Sequence, residues 1–236
     1  REALHFILYE FESDLQWYMK RVSAKKGEGF SGILHEIFST RVAMMSPFAP
    51  YASEEMWSRL GNSGIVSKSS WPTYHAESID FESIQSENLL KNTMDDIKNI
   101  IKVTKITPKK ITVYTPASWK VKAYQKILSK VVGGDVNIGI LIKSLIADKE
   151  TEEIKKDPDF VKKTVNDILS ESQEQRESKN RIGLIDEKKI LSELDSLVQA
   201  EFGISSRVFS ESDDEKYDPK NKSRTARPYK PAILIE

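Results

Sequence analysis

The residues of this chain best placed to do chemistry are lysines and arginines, and the chemistry is the binding of phosphate. Between Ile97 and Gly134 the sequence holds nine lysines and no acidic residue, among them Lys109, Lys110, Lys120, Lys122 and Lys126. A second basic stretch, Lys216 to Pro231, sets Lys216, Lys220, Lys222, Arg224, Arg227 and Lys230 against Asp218 alone. The chain as a whole is neutral, with 36 basic and 36 acidic side chains. Any attraction for a polyanion must therefore come from local fields. If the lysines of the first run neutralise phosphates, about six contacts would lower affinity roughly a thousandfold between about 50 and 200 mM salt. The competing reading is a solvated helix face, which often carries several lysines.

Aromatic side chains could add base stacking. Tyr18 and Trp57 fall on apolar helical spacings and read as core, whereas Trp17 sits one step off that face beside Met19, Lys20 and Arg21. Stacking on an unpaired base and a bundle edge are both open for Trp17. Catalytic chemistry finds no support. His5, His35 and His75 are scattered, and His35-Glu36 begins a zinc-protease pattern that fails because Ser39 stands where the second histidine belongs. Gly27, Gly29 and Gly32 lack the lysine and hydroxyl residue of a phosphate-cradling loop, so a hinge or cap fits them better. The adjacent pairs Glu54-Glu55 and Asp95-Asp96 would point about 100° apart on a helix, which suits solvated faces better than paired acid and base. No catalytic residue and no metal site are expected. The absence of cysteine excludes disulfides and thiolate metal sites and fits a cytoplasmic protein. No apolar run approaches the roughly 20 residues of a membrane span.

These side chains have to be positioned by mainly α structure with a small α+β part. Leu4, Leu8, Phe11, Leu15, Tyr18 and Val22 predict a long first helix, and Ile33, Leu34, Ile37, Phe38, Val42 and Met45 a second. Pro47 and Pro50 interrupt the pattern before it resumes through Trp57 and Leu60. A further helix through Leu90, Met94, Ile97 and Ile101, with Asp80 or Ser83 as its cap, completes an antiparallel bundle over residues 1–105. Residues 106–236 read as a separate α+β domain. It has about three short strands, at Ile111 to Tyr114, Ser206 to Phe209 and Ala232 to Ile235, and helices at 118–131, 135–147, 158–171 and 186–202. The last two helices open at Pro158, after Asp157, and at Asp186. Glu211 to Arg227, poor in apolar residues, reads as a mobile loop able to fold onto RNA.

Several strings also resemble one family. RVAMMSPFAPYASEEMW at 41–57, followed by Ser70-Trp71-Pro72, is similar to the anticodon-binding bundle of the class I tRNA synthetases for leucine, isoleucine, valine and methionine. REALHFILYEFESDLQWYMKR at 1–21, PKKITVYTPASWK at 108–120 and the ending KPAILIE look like the leucine enzymes of the archaeal and eukaryotic type. The resemblance implies a parent that joins leucine to its tRNA with ATP and Mg, using catalytic and editing domains that lie outside this chain. The chain itself would hold no cofactor. It would touch the inner corner of leucine tRNA and its long variable arm. Trp17 and Arg21 join Lys109, Lys110, Lys120, Lys122, Lys126, Lys220, Lys222, Arg224, Arg227 and Lys230 as the tRNA-binding set. KNKSR at 220–224 mimics the catalytic lysine-serine loop of that class but falls on the wrong side of the bundle. The corresponding valine, isoleucine or methionine enzyme, and a helical protein-interaction module, are the alternatives.

Overall fold

The computed structural model describes residues 2–25, 30–73, 77, 79–134, 137–157 and 159–236. Gly27, Gly29, His75 and the helix start at Pro158 lie outside the described residues. The chain forms two compact units, residues 1–79 and 80–236.

In the first unit, α1 (Glu2–His5) runs through a π-helical segment, Phe6–Glu10, into α2 (Phe11–Lys25). The wider π turn shifts the register of the buried face. Ile7 is buried where the spacing predicts Leu8, which is 40% exposed, and Leu15 rejoins the expected stripe. Helix α3 (Phe30–Met45) contains Gly32, so no hinge falls there. The chain breaks at Pro47 and restarts as α4 (Pro50–Arg59), with Pro50 in its first turn, where a missing N–H costs nothing. Trp57 and Leu60 pack on Val42, Ala43 and Val66, and the Trp57 indole donates to the Ser63 carbonyl at 3.2 Å. Arg41 on α3 binds Glu12 on α2 at 2.6 Å. His35, the start of the failed zinc pattern, reaches the Leu60 carbonyl at 3.0 Å instead.

The second unit begins with α5 (Phe81–Thr104), capped by Asp80, whose carboxylate accepts from the Glu82 and Ser83 amides and the Ser83 hydroxyl. The Ser83 hydroxyl leads the bonds that hold the Asp80 carboxyl below its usual range. Helix α5, placed with the bundle by the sequence reading, packs on later helices of the second unit.

After β1 (Ile111–Thr115) come α6 (Ser118–Val132), α7 (Ile138–Ala147), α8 (Asp159–Ser170), α9 (Gln173–Ile182), α10 (Glu187–Ser192) and α11 (Leu194–Phe202). The strands β2 (Ser206–Ser210) and β3 (Ala232–Ile235) follow. The sheet order is β2-β1-β3, with β1 parallel to β2 and antiparallel to β3. All five residues of β1 are buried. Helices α6, α7 and α8 close the main core through Ile127, Leu128, Leu141, Phe160 and Val165.

Two elements depart from the reading. The helix expected over 186–202 breaks at Glu193 into α10 and α11. Helix α9 has no predicted counterpart. Its start carries a capping box in which the Gln175 amide donates to the Ser172 hydroxyl and the Ser172 amide to the Gln175 side chain. Ser172→Ala should therefore lower unfolding stability by about 1 kcal/mol in a urea titration.

Candidate nucleic-acid interface

The acid-free lysine run of the sequence is not acid-free in space. Segment Asp148–Glu150, between α7 and the 3-10 turn Glu152–Lys156, comes back against α6. Lys122 binds Glu150 at 2.9 Å, and Lys126 binds Asp148 and, at 3.6 Å, Glu150. The Lys126 ammonium leads the interactions that hold the Asp148 carboxyl low, and Lys122 does the same for Glu150. Both lysines stay partly exposed, but each already has a counter-ion.

Lys120 requires a correction. It is 2% exposed, and its three ammonium protons meet three acceptors: the Arg224 carbonyl at 2.6 Å, the Ala226 carbonyl at 3.1 Å and Glu211 at 2.9 Å. A buried, fully satisfied ammonium is a fold tie and cannot meet RNA. Arg21, 7% exposed on α2, is likewise turned into its unit, while Trp17 beside it is half-buried.

The stretch read as a mobile loop is a strap. Asp218 accepts from the amides of Lys222 and Ser223 at 2.7 and 2.9 Å, and the Tyr217 carbonyl accepts from the Tyr114 hydroxyl at 2.5 Å. Ala226 is wholly buried in the small cluster of Tyr114, Ala232 and Leu234. Lys222 lies along β3, donating to the Ile233 carbonyl at 2.9 Å. The sequence missed this order because the anchors are backbone groups, the Asp218 carboxylate and one buried lysine, which leave no apolar pattern.

Lys109, Lys220 and Arg224 stay exposed without an ion pair among the described residues. Lys110 lies 4.0 Å over the Tyr217 ring, and the amides of both Lys109 and Lys110 bond the Glu236 carbonyl. Tyr217 thus joins the strap to the start of β1. Arg207 on β2 is an exposed cation that the sequence reading passed over.

Arg227 and Lys230 form the remaining pair, at either end of a tight turn closed by Arg227–Lys230 backbone hydrogen bonds of 3.0 and 2.8 Å. Both reach Asp167 of α8, at 2.9 and 2.6 Å. Between them Tyr229 holds a φ of +61°, a region that disfavours side chains. Its amide donates to Glu187 at 2.7 Å, and its ring packs on Tyr124 and under the Lys179 ammonium at 4.2 Å. Burial pushes the Glu187 carboxyl up to about 7, against the opposing Tyr229 amide and Lys179.

In the first unit the expected solvated pair divides. Glu55 pairs with Arg59 in solvent, while Glu54 accepts from the Val66 and Ser67 amides and the Ser67 hydroxyl, pinning α4 to the 3-10 turn Val66–Lys68. Tyr18 is half-buried, and Trp119 packs edge-on to Phe160. Phe48, Tyr51 and Trp71 are 51, 92 and 59% exposed and Phe6 and Tyr9 are 46 and 66% exposed, so aromatic surface available for stacking lies on the Pro-Phe-Ala-Pro turn, the Ser-Trp-Pro segment and the π segment.

Residues 1–113 match the family described as the anticodon-binding domain of tRNA ligase. The match takes in just under half of the chain, includes α5 and ends within β1. Over its whole length the chain is 35% identical to a leucine–tRNA ligase of Methanococcoides burtonii, 36% to that of Methanosarcina mazei and 33% to that of Pyrococcus abyssi. Each match takes in 100% of this chain but only 24, 24 and 22% of the relative, so the chain spans about a quarter of the length of the curated relatives it matches. The part of the relatives that it resembles is their C-terminal portion.

Proposed function

We propose that this chain positions leucine tRNA for a ligase that activates leucine with ATP and Mg in catalytic and editing domains elsewhere in a longer cytoplasmic protein. The similarity of this whole chain to part of the leucine–tRNA ligases carries this reading. The open cations Lys109, Lys110, Lys220 and Arg224, on the strap and the adjoining start of β1, are the residues we assign to the RNA backbone. Lys122, Lys126 and Lys222 contribute only where a phosphate outcompetes their present partners. Phosphate contacts orient an RNA without naming it, so preference for a long variable arm must come from its shape or from unpaired bases.

Four phosphate contacts, rather than six, should lower affinity about a hundredfold between about 50 and 200 mM salt. Filter binding of the full chain to leucine tRNA, with and without its variable arm, tests both parts. The expected result is tighter binding of the intact tRNA with that salt response. Equal affinity for both RNAs would remove the arm-reading role, and no tRNA shift at any salt would favour a protein-interaction module.

A further inference from the structure

We propose that Asp167 is a positioning residue which holds Arg227 and Lys230 together as a two-cation fork for a single backbone phosphate of RNA. This rests on the tRNA-binding reading above and adds a site to it. The two oxygens of one carboxylate each hold one cation, Oδ2 the Arg227 Nε and Oδ1 the Lys230 Nζ. The two charged heads are thereby held side by side on one carboxylate.

Charge supports the same ligand. Within the fork two cations and one carboxylate leave one positive charge, which suits one phosphodiester, while Asp96 of α5 lies near enough to feel the Lys230 charge. The Arg227 terminal nitrogens make no hydrogen bond among the described residues, and Lys230 makes one side-chain bond, to Asp167. Donors therefore remain for a second anion beside Asp167.

The fork also stands on a rigid base. The strained Tyr229 backbone is held by Glu187 from below, while its ring is clasped by Tyr124 and Lys179. Such local strain persists only where the surroundings over-determine it. Here they fix the direction in which the flanking residues leave the turn. Asp167 then sets the side chains, and its charge keeps the pair from attracting any polyanion indiscriminately.

The test compares salt slopes of binding for leucine tRNA and for a tRNA with a short variable arm. Lys230→Gln removes half the fork from a 53% exposed side chain and leaves the core untouched. It should reduce the slope of log affinity against log salt by about 0.7–0.9 for leucine tRNA. Asp167→Asn should raise affinity for the short-arm tRNA several-fold at low salt and steepen its slope, so that discrimination falls. The double variant Asp167→Asn with Lys230→Gln restores the net charge of the site and should restore the short-arm slope but not the discrimination. An unchanged slope in Lys230→Gln overturns the proposal, as does Asp167→Asn weakening both RNAs in parallel with a lower melting temperature, the mark of a purely structural residue. Failure of the unaltered chain to bind either tRNA would instead strike the functional reading on which the fork depends.

Discussion

Replacing Lys120 by methionine is expected to lower unfolding stability by about 3 kcal/mol, the cost of stranding a buried charge partner together with two carbonyls. The methionine fills most of the lysine stem's volume, so cavity formation adds little. What is lost is the ammonium that joins Glu211 to the carbonyls of Arg224 and Ala226. Because those acceptors lie at both ends of the strap, the variant should also become cleavable by protease between residues 211 and 226. Urea unfolding measures the first effect and limited proteolysis the second. A loss under about 1 kcal/mol, with the strap still resistant, would show that the remaining bonds at Asp218 and Tyr217 are sufficient. Lys120→Arg should fail to rescue, since a planar guanidinium cannot address three acceptors arranged around a single nitrogen.

Raising the pH from about 5.5 to 8 is expected to weaken the fold by about 2 kcal/mol through Glu187 alone. Its folded value of about 7 lies above the ordinary carboxyl value of 4.5, chiefly because burial disfavours the anion. The folded state therefore binds this proton more tightly than the unfolded chain does. Stability from Glu187 is fully present below about 4.5 and declines as pH rises through about 7. In Glu187→Gln the side-chain oxygen can still accept from the Tyr229 amide, but the titrating charge is gone. The variant's denaturation midpoint should stay flatter across this range and exceed that of the unaltered chain at pH 8. Parallel pH profiles for the two proteins would place the ionisation elsewhere. Asp148 and Glu150, whose carboxyls are held low by their lysines, act in the opposite direction and at more acid pH.

The contrast between Lys120 and Lys220 shows how much of the candidate site the sequence carries. Both stand in basic stretches, and nothing local distinguishes them, yet one is inside the fold and the other outside. The difference comes from segments about a hundred residues away. Elements with strong local signatures were legible: the three strands through their β-branched and aromatic residues, α4 through Pro50, and α5 through Asp80. Helix α9 was not, because QEQRESKNRI has no apolar stripe, although Ser172 and Gln175 supplied a capping box that could have revealed it. The π segment at Phe6–Glu10 shows the opposite limit, since the helix was legible but its buried face was displaced. Counting acids along the chain likewise missed Asp148, Glu150 and Asp167, which reach the lysines and Arg227 only through tertiary packing.

The central place of β1 also governs the order in which the second unit can be made. Ile111 pairs with Ser206 on one side and with Ile235 on the other, so both neighbours are translated roughly a hundred residues later. At about 5–20 residues per second, a fully apolar-flanked strand with two open edges would wait roughly 5–20 s for its first partner. During that interval it presents the unpaired backbone that invites intermolecular association. Helix α6, which follows β1 immediately, supplies Ala123, Ile127 and Leu128 to the main core but leaves both edges of β1 open until β2 arrives.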